Sequence, residues 1–98
     1  MLLAAVRQAL ERSGQALRHA NEMQALRGCY ASLSQREREV MALVVSGMLN
    51  KQVGGELGIS EVTVKAHRGQ VMRKMNADSF AALVNMAAGL GLAPASKT

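Results

Sequence analysis

Between Leu33 and Leu90 the apolar residues recur at helical spacing and are interrupted by short runs of capping and turn residues. Ser34 followed by Glu37 fits a capping box, in which each residue's side chain meets the other's backbone amide, and Val40, Leu43 and Val44 then mark the inner face of a first helix. Gly47 supplies its stop. Asn50 is placed to cap a short second helix, Lys51 to Leu57, with Val53 and Leu57 facing inward, and Gly58 is suited to the left-handed turn that ends it. Ile59 anchors that turn and Ser60 caps the next helix. From Glu61 to Met75 no proline or strong stop intervenes until Asn76, so this is the longest uninterrupted helix of the region. Asp78 or Ser79 then caps a last helix with Phe80, Leu83, Val84 and Ala87 on one face, closed by Gly89, Gly91 and Pro94. Upstream, Leu3, Val6, Leu10 and Leu17 repeat at helical spacing, but the seam fades and Ser13 and Gly14 weaken the middle. The expectation there is one long or broken helix, read as a helix to about Arg12 followed by a helical linker.

The pattern therefore predicts an all-α protein: residues 1–30 as a helix and linker, 31–92 as a four-helix domain, and 93–98 as a frayed tail. Composition agrees, because 49% of the 98 residues are hydrophobic but only 2% are aromatic, a palette of Leu, Ala, Val and Met that suits packed helices. Twelve Lys and Arg against seven Asp and Glu leave a formal charge of +5, which favours a polyanionic partner. With one cysteine, Cys29, no internal disulfide can form, and a reducing cytoplasm fits. No segment has the length and apolarity of a membrane span, and the opening residues lack the marks of a signal peptide.

A short helix, a turn of Gly58, Ile59 and Ser60, and a longer helix match the helix-turn-helix motif, although many structural hairpins share that spacing. The faces of the longer helix sharpen the assignment. Val64, Val71 and Met75 point one way with His67 or Arg68 between them, while Val62, Lys65, Ala66, Gly69 and Arg73 form the opposite stripe. This stripe is cationic and small in its middle. Gly69 costs about 1 kcal/mol relative to Ala inside a helix, which suggests that something approaches the backbone closely there. On a major-groove floor Lys65 can reach guanine O6 or N7, and Val62 or Ala66 can touch a thymine methyl. Arg68, Arg73 and Lys74 are assigned to phosphates, and Thr63 with the first amides of the helix to another. Lys51, at the start of the preceding helix, is placed to meet the same DNA backbone. With the capping residues Asn50 and Ser60, and with His67 as a buried or phosphate-touching histidine, the candidate DNA-contacting set is Asn50, Lys51, Ser60, Val62, Thr63, Lys65, Ala66, His67, Arg68, Gly69, Arg73 and Lys74.

Each feature also has a plainer reading. A Lys and Arg stripe is more often a solvated helix face, and Glu61 subtracts one charge from it. No His or Cys lies at ligand spacing from His67, so neither a metal site nor a cofactor is expected. His19 reads as a surface residue, and the methionines as core filler. The alternation Arg36, Glu37, Arg38, Glu39 reads first as a solvated helix start and second as a partner surface.

The run LSQREREVMALVVSGMLNKQVGGELGISEVTVKAHRGQVMRKM, Leu33 to Met75, resembles the DNA-binding domain of LuxR-type regulators, particularly the FixJ and NarL branch of bacterial two-component response regulators. The resemblance rests on Arg36, Glu37, Glu39, Val40, Gly47, Asn50, Lys51, Leu57, Ile59, Ser60, Thr63, Val64, Lys65, His67, Lys74 and Met75, and it continues to about Leu90. It implies a four-helix domain whose third helix reads promoter DNA in the major groove, usually as a homodimer held partly by the fourth helix. Groove-reading positions of the family fall on Lys65, Ala66 and Gly69, and glycine there replaces what is often a larger polar side chain. Gly54 and Gly55 depart from the Ala-rich pattern usual before the turn, which predicts a less stable helix. LLAAVRQALER resembles the last helix of a receiver domain, with the rest to Cys29 as its linker. The implied partners are duplex DNA, a second copy, a receiver domain in the full-length protein and RNA polymerase, with no membrane. The phosphoacceptor part is absent from this chain, so it is expected to be a piece of a longer regulator.

Two other readings stay open: a sigma-factor-like module that engages promoter DNA within RNA polymerase, and a helical domain that binds only protein through its apolar first helix. The capping box and the NKQV segment favour the LuxR type. An enzyme is not expected, because the sequence has no Gly-rich phosphate loop, no nucleophile beside a base and no paired carboxylates in a plausible pocket.

Overall fold

The structure, a computed structural model, describes the backbone of residues 2–92 and the side chains of residues 14–92. It consists of five helices, α1 Leu2–Ala31, α2 Gln35–Val45, α3 Asn50–Leu57, α4 Glu61–Lys74 and α5 Phe80–Gly89, with no strand among the described residues. The side chains of Leu3, Val6 and Leu10 and the stop expected at Pro94 lie outside what is described.

The capping box opens α2 as expected. The Glu37 amide donates to Ser34 Oγ at 3.1 Å, and the Ser34 amide donates to Glu37 Oε1 at 2.8 Å. One face of α2 then buries Val40, Met41, Val44 and Val45. Against that face lie Val53 of α3, Val64 and Val71 of α4, and Leu83 and Ala87 of α5. Removing each Val, Leu or Met side chain of this set from water contributes about 1.5 to 3 kcal/mol, so this shared core sets where α4 sits. Gly58 takes φ +69°, the left-handed conformation that an L side chain resists, and closes the turn between α3 and α4.

The structure corrects two local expectations and decides between the alternatives of a third. Asn50 does not cap α3 but stands inside it; Leu49 is the N-cap, and its amide donates to Gln52 Oε1 at 2.8 Å. A glutamine three residues into the helix therefore does the capping, and the Asn50 side chain is released for a tertiary contact. Residues 2–31 form one unbroken helix through Ser13 and Gly14, since an isolated glycine weakens a helix without interrupting its hydrogen-bond ladder. The charged alternation at the start of α2 is solvated only in part. Arg36 and Glu39 form an exposed pair at 3.1 Å, whereas Glu37 is buried and Arg38 lies 5.1 Å from the Tyr30 ring centre. Arg38 also donates to the Ala31 carbonyl at 3.2 Å, tying α2 to the end of α1. Together with Leu26, Cys29 and Tyr30, which pack on the core, this makes the last turns of α1 part of the folded body.

The α3 glycines differ in what they permit. A Cβ on Gly54 would lie 2.7 Å from the Ile59 carbonyl oxygen, so close approach of the turn explains that glycine. A Cβ on Gly55 meets nothing within 4 Å. Gly55→Ala is therefore expected to stabilise the domain by about 0.5 to 1 kcal/mol. Urea unfolding at neutral pH checks this, and a destabilised variant would contradict the open space beside Gly55.

Candidate nucleic-acid interface

The two faces of α4 separate as the sequence pattern implies. Val64 and Val71 are fully buried, with Met75 just beyond the helix end, while Val62, Lys65, Ala66, Gly69 and Arg73 are exposed. Val62 is 74% exposed. Ser60 caps the helix by accepting from the Thr63 amide at 3.1 Å, and its hydroxyl lies 2.8 Å from that of Thr63. The first turn of α4 is thus held by its own side chains, with the positive end of its dipole outward.

Lys65 Nζ stands 4.0 Å from Glu61 Oε2, both in solvent. Such an exposed pair is worth only about 0.3 to 0.5 kcal/mol, so it leaves the ammonium available to a stronger partner. A Cβ on Gly69 would meet no protein atom within 4 Å, and nothing inside the protein requires glycine there. Arg73 pairs with Gln70 along the exposed side. Lys51 is exposed at the start of α3, and His67 is half-buried.

Three members of the candidate set are held within the protein instead. Lys74 Nζ donates to Glu37 Oε1 at 2.8 Å, joining the end of α4 to the start of α2. That ammonium and the Ser34 amide hold the Glu37 carboxyl below its usual value of 4.5, although burial pushes the other way. Arg68 Nη1 donates to Asn50 Oδ1 at 3.0 Å, and its guanidinium lies 4.8 Å from the centre of the Phe80 ring. Phe80 and Glu37 are not among the residues that the sequence pattern assigns to the site. Periodicity places Phe80 on the inner face of α5, and no local signal links Glu37 to a lysine 37 positions away. No group of three or more His, Cys, Asp or Glu side chains suited to a metal ion occurs among the described residues.

Residues 31–87 match the family described as bacterial regulatory proteins, luxR family. The chain is 45% identical over 91 residues to Nodulation protein W of Bradyrhizobium diazoefficiens, which covers 93% of this chain and 40% of that protein. It is 44% identical over 94 residues to the transcriptional regulatory protein FixJ of Azorhizobium caulinodans, covering 96% of this chain and 44% of the relative. Among solved structures, that of the response regulator StyR superposes with a TM-score of 0.81 at 40% identity, over 89% of this chain and 44% of that one. The chain thus spans about two fifths of the length of the relatives it matches.

Proposed function

Because the chain belongs to the LuxR family of bacterial regulatory proteins, we propose that residues 31–92 bind promoter duplex DNA in a sequence-specific manner, with α4 lying in the major groove. One observation carries this reading: the outer face of α4 is small and cationic, and its central glycine serves no internal contact.

In this reading Lys65 meets a guanine edge and Val62 and Ala66 lie against thymine methyls, while Gly69 lets the helix backbone come close to the bases. Lys51, Thr63 and Arg73, with the first amides of α4, contact phosphates. Ser60 positions Thr63. Lys74 and Asn50 are reassigned as groups that hold α4 in place, since both already have protein partners. Residues 1–30 serve as the connection to a receiver domain in a longer protein, and 93–98 as a tail. A second copy on DNA, RNA polymerase as a further partner, a cytoplasmic location and the lack of catalytic activity complete the proposal.

A mobility-shift titration across salt tests it, using duplexes selected from a random pool. The two cations assigned to phosphates, Lys51 and Arg73, predict a logarithmic salt slope of roughly −2 per bound chain. An affinity insensitive to salt would favour a domain that binds only protein. Binding of two copies predicts half-sites about 34 to 36 Å apart, whereas protection of one half-site alone would indicate a monomer.

A further inference from the structure

Arg68, Asn50 and Phe80 come from three different helices and meet at one point. Asn50 is the first residue of α3 and Phe80 the first of α5, while Arg68 lies midway along α4. The guanidinium uses its edge and its face at once: Nη1 donates to Asn50 Oδ1 at 3.0 Å, and the plane covers the Phe80 ring at 4.8 Å. A planar guanidinium is well suited to doing both, since its edge donates while its face meets the ring. This also accounts for Phe80, the one phenylalanine of the chain, staying 38% exposed at a helix start.

We infer that Arg68 is a positioning residue for DNA reading: its clasp with Asn50 and Phe80 sets the rotation of α4 about its own axis, and so the aim of Lys65 and Ala66, rather than neutralising a phosphate. The core places α4 through the buried Val64, Val71 and Met75, and the clasp adds a constraint on its rotation from outside that stripe. A hydrogen bond on one flank, from α3, and a stack from α5 fix it. The clasp also links α5 to the groove-reading helix, so that whatever engages the start of α5 changes how α4 presents its outer face. The inference rests on the DNA-binding reading of α4.

The rival role for Arg68, a phosphate contact, makes opposite demands. A phosphate accepts a lysine nearly as well as an arginine when only charge matters, whereas lysine cannot stack and hydrogen-bond as a flat fork. The test measures affinity for a selected duplex with the wild-type chain and with Arg68→Lys, Phe80→Leu, Phe80→Tyr and the double variant Arg68→Lys/Phe80→Leu. All are compared well below their thermal midpoints, so that each is folded. Arg68→Lys and Phe80→Leu are each expected to weaken binding roughly tenfold, as the loss of a charged hydrogen bond and a cation–π contact implies. Phe80→Tyr, which keeps the ring, should bind like the wild type. The double variant should be no weaker than either single one, because both changes open the same clasp. Retained affinity in Arg68→Lys, wild-type binding by Phe80→Leu, or losses that multiply in the double variant would each overturn the clasp alone. A wild-type chain that binds no duplex from the pool would instead overturn the DNA-binding reading, and the clasp with it.

Discussion

Replacing Glu37 by Ala lowers folding stability by about 3 kcal/mol: about 1 for the lost capping box and the remainder for Lys74 left without its partner. Breaking a fully buried pair costs about 3 to 5 kcal/mol, and the remainder here, about 2 kcal/mol, falls below that range because Lys74 keeps a third of its side chain in solvent. Urea unfolding at pH 7 measures it. A loss below about 1 kcal/mol would place the pair with ordinary surface bridges. Glu37→Gln separates the two contributions, since glutamine at the third helical position can still accept from the Ser34 amide but carries no charge.

The pH dependence follows from the same pair. The folded carboxyl lies below 4.5, so its contribution is complete above that value and is lost as pH falls through the lowered folded one. Wild type and Glu37→Gln should therefore differ at neutral pH and converge in acid. A gap that stays constant between neutral pH and acid would mean that the ionised carboxylate is not the stabilising species.

Lys65→Ala lowers DNA affinity by about 1 to 3 kcal/mol and relaxes preference at one base position, leaving stability nearly unchanged. The small stability effect follows from the geometry, as the Lys65 ammonium has only the exposed Glu61 carboxylate 4.0 Å away. Selection of bound sites from random duplexes, run in parallel for wild type and variant, reads the preference directly. If the two selected sequences are the same, Lys65 does not read a base. Lys74→Ala should behave differently: Lys74 is salt-bridged to Glu37, so that variant loses folding stability first.

Most of the architecture is legible in the residue order because it is decided locally. Ser34 with Glu37, Ser60 and Ser79 satisfy amides within three residues of themselves, and Gly58 needs only its own backbone to turn the chain. The outer stripe of α4 is equally readable, for an exposed face is defined by what its apolar opposite buries. Asn50 shows where local reasoning stops: its type and position suit an N-cap, yet Gln52 already fills that role through the Leu49 amide.

Helix boundaries, the core stripe and the small cationic face of α4 depend on spacings of three and four residues, which are written into the order of the chain. The partners of Glu37, Arg68 and Phe80 depend on how separate helices meet. Three of the four cations on α4, Lys65, Arg68 and Lys74, are alike in charge. Packing decides that one stays in solvent, one bridges α3 and α5, and one binds a carboxylate 37 positions earlier. Those contacts carry no periodic signature, because distance through the fold is set by the shared core and not by separation along the chain.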